Sequence, residues 1–91
     1  MKNTLLITYD LSQPERNYED LLKKIKSYNT WARITESSYI IVSTEEPAKV
    51  KDELLRLLND SDKIYVGVIS APAAWSGISD SVSNWLQKYL K

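Results

Sequence analysis

Two apolar spacings alternate along the chain. Thr4-Leu5-Leu6-Ile7-Thr8-Tyr9 is a short run of branched and aromatic residues and predicts a strand over 4–9. Tyr18, Leu21, Leu22, Ile25 and Tyr28 then recur at i, i+3, i+4, i+7 and i+10, the single stripe of an amphipathic helix. Asn17 suits its N-cap, with Asp20 three residues on in a weak capping box, and Asn29 suits a left-handed stop. Glu19 with Lys23, and Asp20 with Lys24, stand four apart with the acid first, the favourable order on a helix surface.

Residues 30–36 and 39–43 predict two more strands, turned through Ser37-Ser38 as a tight hairpin. Arg33 and Glu36 suit the first of these to a sheet edge, whereas Tyr39-Ile40-Ile41-Val42 is apolar on both faces. Thr44-Glu45-Glu46-Pro47 opens a second helix, with acids at the positive end of its dipole and proline in its first turn. Val50, Leu54, Leu57 and Leu58 form its buried side. After the polar turn Asn59-Asp60-Ser61-Asp62, residues 64–69 give a fourth strand. The order βαββαβ is the ferredoxin-like pattern of an α+β sandwich. A third helix follows, capped by Ser79, with Ile78, Val82, Trp85, Leu86 and Tyr89 on one side.

In that topology both early helices cover one face of the sheet. Side chains alternate along a strand, so Leu5 and Leu6, Ile40 and Ile41, and Tyr65 and Val66 place apolar groups on both faces. A bare second face would expose an apolar patch rare on soluble monomers. The expected covers are the chain's own last twenty residues and a second copy, acting together in a homodimer.

Composition narrows the chemistry. Ninety-one residues make one domain over 1–91, a core of about 4–70 with a connector and helix over about 71–91. With no cysteine and no histidine, thiolate sites, disulfides, the usual triads and most zinc sites drop out. Twelve basic residues balance twelve acidic ones, so there is no surplus of positive charge to hold phosphates. The apolar stretch behind Met1-Lys2-Asn3 is too short for a signal peptide, and no run reaches the ~18 apolar residues of a membrane span. A soluble, cytoplasmic protein is expected, with no membrane partner.

One position stands out chemically. The first strand ends at Asp10, and strand carboxyl ends are where folds commonly place ligands. Asp10 is the candidate catalytic and metal-binding residue; alternatively its carboxylate caps the loop that follows, in which Ser12 and Pro14 lie. Ser37 and Ser38 are candidate phosphate contacts or ordinary hairpin residues. Arg16 and Arg33 could steady a phosphate or lie on solvated surface. Trp31, Trp75 and Trp85 could stack on bases, with packing the plainer role of Trp85. Ala71-Pro72-Ala73-Ala74-Trp75-Ser76-Gly77 lacks the glycine spacing and lysine of a phosphate loop and reads as a connector.

Ile7-Thr8-Tyr9-Asp10 closing the first strand, and Glu36-Ser37-Ser38-Tyr39-Ile40 leading into the third, resemble the CRISPR-associated protein two family over roughly residues 4–70. The second block matches loosely, with Ser38 at the family's serine. The whole chain is similar to the short bacterial and phage proteins labelled SinR family, which are unrelated to the helix-turn-helix repressor. That likeness rests on Tyr9-Asp10-Leu11, Asn17-Tyr18-Glu19-Asp20-Leu21, Ala74-Trp75-Ser76-Gly77 and Trp85-Leu86. The first resemblance implies a small dimeric ferredoxin-fold partner of an integrase, a nuclease in some members and a scaffold in others. In the nuclease form the strand-end aspartates of two subunits hold one Mg2+, which activates a water against a phosphodiester. A helix here follows the fourth strand where the family has a further strand.

Three functions are therefore expected as alternatives. The first is a homodimeric binding or scaffold protein without chemistry, in defence or mobile-element biology, with a further protein partner. The second is an Mg2+-dependent endonuclease on RNA or DNA through Asp10 of both subunits. The third is a small-molecule or metal-sensing module.

Overall fold

The computed structural model describes residues 2–13 and 18–91. Its elements are β1 (Asn3–Asp10), α1 (Glu19–Lys26), β2 (Thr30–Thr35), β3 (Ser38–Ser43), α2 (Pro47–Leu55), β4 (Lys63–Val68) and α3 (Asp80–Tyr89). The result is a mixed α+β fold with one antiparallel four-stranded sheet, ordered β2-β3-β1-β4. β1 is central, and β2 takes the edge that its charged residues suggested.

The main core forms where period-two strands meet period-3.6 helices. Leu5, Ile7 and Tyr9 of β1 and Tyr39 and Ile41 of β3 point to one face, against Leu21 and Ile25 of α1 and Val50 and Leu54 of α2. Each such aliphatic side chain contributes roughly 1.5–3 kcal/mol on full burial. Ile64 and Val66 extend this layer along β4.

The chain itself covers part of the opposite face. Ala32, Ile40 and Val42 are buried there, and Leu86 of α3 is only 3% exposed. Two polar links place α3. Trp85 Nε1 donates to Thr30 Oγ1 at 3.0 Å, and Thr4 Oγ1 donates to the Tyr89 carbonyl at 3.0 Å. Ala71 N–H donates to the Lys91 carbonyl at 2.9 Å, so the segment returns to its own start. Ser79 caps α3 as expected, accepting from the Val82 amide.

Several local expectations shift. The hairpin turns through Glu36-Ser37, one residue early, because Ser38 already pairs in β3. α1 ends at Lys26, and among the described residues no non-glycine has a positive φ, so Asn29 does not make the left-handed stop. The tightened bonds of Ser27 to Lys24 and Tyr28 to Ile25 satisfy the last carbonyls instead. Glu19 and Lys23 pair at 3.3 Å, but Lys24 turns to Glu53 of α2 at 3.7 Å rather than to Asp20. α2 closes at Leu55, with Leu57 and Leu58 still packed on the core from the turn beyond. Pro14, Arg16 and Asn17 lie outside the described residues. No helix among those described is long and apolar enough to cross a membrane.

Leu86→Ala should lower stability by about 2–3 kcal/mol through the lost burial and the void left over Ile40. A urea midpoint unchanged from wild type would show that α3 contributes nothing to the sheet.

Candidate functional site

Asp10 is the last residue of β1 and is exposed. The alternation that buries Tyr9 turns Asp10 to the second face, beyond the reach of α3, in line with Leu6 and Thr8. The β1–β4 register sets Asp10 directly opposite Lys63 and Thr8 opposite Tyr65. These four residues line a hollow of about 240 Å³. Thr8 Oγ1 and Ser38 Oγ share a hydrogen bond of 2.9 Å on the same face.

The other sequence candidates divide. Ser37 and Arg33 line a second hollow of about 300 Å³ that Asp10 also borders, together with Glu36. Ser37 contributes its carbonyl, which accepts the Tyr9 amide at 3.1 Å. Arg33 is engaged locally: Nη2 donates to the Glu36 carbonyl at 3.0 Å, and the guanidinium lies 5.7 Å from the Tyr39 ring centre. Burial pushes the Tyr9 phenol above its ordinary value, with Tyr39 adding to the effect and Arg33 opposing it. Ser38 sits apart with Thr8, and Arg16 is outside the described residues. Trp75 Nε1 donates to Ser83 Oγ at 3.0 Å and ties the C-terminal segment to itself, whereas Trp85 ties it to Thr30 of β2. Trp31 remains partly exposed beneath Lys26.

Among the described residues, the carboxylate with the densest set of donors is Asp62, which the pattern placed only in a polar turn. Its Oδ1 accepts the Ser12 amide and the Ser12 hydroxyl, each at 2.8 Å. Its Oδ2 accepts the Asn59 amide at 2.8 Å, and the Tyr18 hydroxyl reaches both oxygens at 3.2 Å. Those donors, the Asn59 and Ser12 amides foremost, hold the Asp62 carboxyl down at about 2. Asp62 thus clasps the loop two residues beyond Asp10 to the residue before Lys63. A second clasp joins the helices: the Tyr28 hydroxyl donates to Glu53 Oε1 at 2.7 Å, which lowers the Glu53 carboxyl, while burial and that bond raise the phenol.

Lys63, Tyr65 and Asp62 carried a weak signal in the sequence. The alternation Lys63-Ile64-Tyr65-Val66-Gly67 sets Lys63 and Tyr65 on one face, but only the pairing register shows which β1 residues they oppose. Among the described residues no group of three or more acidic, histidine or cysteine side chains converges on a point where a metal ion could sit. Compared with family models, with curated proteins and with solved structures, the chain matches none.

Asp62 is ionised in the fold down to about pH 2 and, when unfolded, takes up its proton near its ordinary 3.8. Its stabilisation is therefore full above about pH 4 and is lost as pH falls toward 2. Urea unfolding across this range should show the gap between wild type and Asp62→Asn narrowing as acid is added. A constant gap would remove the clasp from the account of acid stability.

Proposed function

We propose that this chain is a ferredoxin-like domain with an added C-terminal helix, and that it works as a homodimeric binding or scaffold protein without chemistry of its own. The observation that carries the absence of chemistry is the pairing of Asp10 with Lys63. One carboxylate opposed across the ladder by an ammonium is a poor seat for Mg2+, which prefers carboxylates, phosphate oxygens and water. The ammonium across the ladder adds a positive charge that opposes the approach of a second cation. The residues present do not fit the shared-ion arrangement, and no hydrolytic step follows from them.

The ferredoxin-like assignment is supported by the order β4-β1-β3-β2 with α1 and α2 on one face. The dimer is supported by the outer edge of β4. Val68 is 54% exposed on a strand with no neighbour on that side among the described residues. Such an edge is a template for another strand. Pairing of two β4 strands would continue the sheet and leave both hollows at Asp10 open. A role in defence or mobile-element biology rests on the resemblance to the CRISPR-associated protein two family and accords with a binding protein that needs a larger partner.

Sedimentation equilibrium should give twice 10.5 kDa for wild type. Val68→Lys, which places a charge on the β4 edge, should give the single mass. A wild-type protein that stays at the single mass refutes the dimer. Labelled RNA and DNA incubated with Mg2+ should remain intact; cleavage that disappears in Asp10→Ala refutes the absence of chemistry.

A further inference from the structure

The exposed end of the second face carries a constellation that suits one kind of ligand. Asp10 and Lys63 stand directly opposite in an antiparallel ladder, where such pairs hold their Cβ atoms about 4.5–5.5 Å apart. Both are exposed, and neither forms an ion pair among the described residues. The surface therefore offers a two-oxygen acceptor immediately beside a strong donor. Two residues along β4 on the same face comes Tyr65, an aromatic ring left 61% exposed. A Cβ at Gly67 would sit 2.7 Å from the Tyr65 hydroxyl oxygen and 2.9–3.0 Å from two ring carbons. The absence of a side chain at 67 is what lets the ring lean along its own strand. That lean keeps open the 240 Å³ hollow between Tyr65, Thr8, Asp10 and Lys63. The Asp62 clasp joins the segment that follows Asp10 to the segment that precedes Lys63.

A planar ring resting on Tyr65 would turn an edge toward Asp10 and Lys63. The edge that fits must present two adjacent donors to the carboxylate and one acceptor to the ammonium. Guanine does so, with N1–H, the exocyclic N2–H and O6. Adenine would aim the N1 lone pair at the carboxylate; cytosine has two acceptors on that edge; uracil has a single donor between two acceptors. The chain's formal net charge of zero leaves the base itself, rather than phosphate attraction, as the main source of binding. We infer that this hollow is a guanine-binding site: the base stacks on Tyr65, N1–H and N2–H donate to the two carboxylate oxygens of Asp10, and O6 accepts from Lys63 Nζ. The inference rests on Asp10 acting as a binding group rather than a catalytic one, and it names the ligand of the proposed binding protein.

Calorimetric titration of the full chain with GMP, AMP, CMP and UMP, and with the single-stranded RNAs UUGUU and UUAUU, tests it. GMP should bind at least ten-fold more tightly than the other mononucleotides. UUGUU binding more tightly than GMP would identify a guanine within a strand as the natural ligand, and equal affinity a free nucleotide; both support the site. Tyr65→Ala should weaken guanine about ten-fold or more, the loss of one base–aromatic stack. Asp10→Asn replaces one acceptor by a donor, so it should lose the preference for GMP and favour xanthosine monophosphate, whose O2 accepts. All these residues are exposed, and near-ultraviolet circular dichroism matching wild type confirms the fold. No heat with GMP or UUGUU up to millimolar concentration, equal affinity for GMP and AMP, or an unchanged guanine preference in Asp10→Asn overturns the assignment. Sedimentation on the same samples separates this outcome from failure of the dimer. A paired protein without guanine binding refutes only the ligand, and a single-mass protein that binds guanine refutes only the pairing.

Discussion

The period-two alternation of β1 is the constraint from which the rest follows. Flanked by β3 and β4, the strand sends Leu5, Ile7 and Tyr9 into the helix-covered core and Leu6, Thr8 and Asp10 to the other side. A slip of one residue would exchange these sets, burying a carboxylate and a threonine in the apolar layer and bringing three large apolar side chains out of it. The cost of that exchange locks the register. The same lock sets Asp10 against Lys63 and Thr8 against Tyr65, so core packing and the geometry of the open hollow have one cause.

The second face shows how a small domain handles a sheet that is apolar on both sides. Leu86 of α3 lies beside Ile40, and two hydrogen bonds from Trp85 and Thr4 set where the helix lies. It leaves uncovered the end where Thr8, Ser38, Asp10, Lys63 and Tyr65 replace the aliphatic residues. The division between covered and open surface follows the change from apolar to polar side chains along the strands. The exposed region is polar where it faces water and apolar mainly at the β4 edge.

What could be read from the chain, and what could not, follows from which interactions are local. The strands, the helices and their order came from spacing, because the stripe of α1 and the alternation of β1 are short-range patterns with strong physical causes. Ser79 as a cap and Pro47 in the first turn of α2 were equally readable. The turn at Glu36-Ser37 and the end of α1 were misplaced by a residue or more, because fraying and tightened last turns blur boundaries. The position of Asp10 at the end of the first strand was readable from the spacing. Its counterpart Lys63 was not, since a pairing across 53 positions of sequence depends on register. Asp62 was missed for a related reason: its donors Ser12 and Tyr18 come from a different loop, and only folding brings them together.

Gly67 separates two demands that usually travel together. It sits mid-strand, where a β-branched residue would favour the sheet more, yet its lack of a side chain decides where a neighbouring phenol rests. Adding a methyl there would collide with the mobile end of a tyrosine rather than with backbone, so the ladder can absorb the change while the ring is pushed aside. This position therefore offers a way to uncouple folding from recognition: substitutions that suit the strand would spoil the platform.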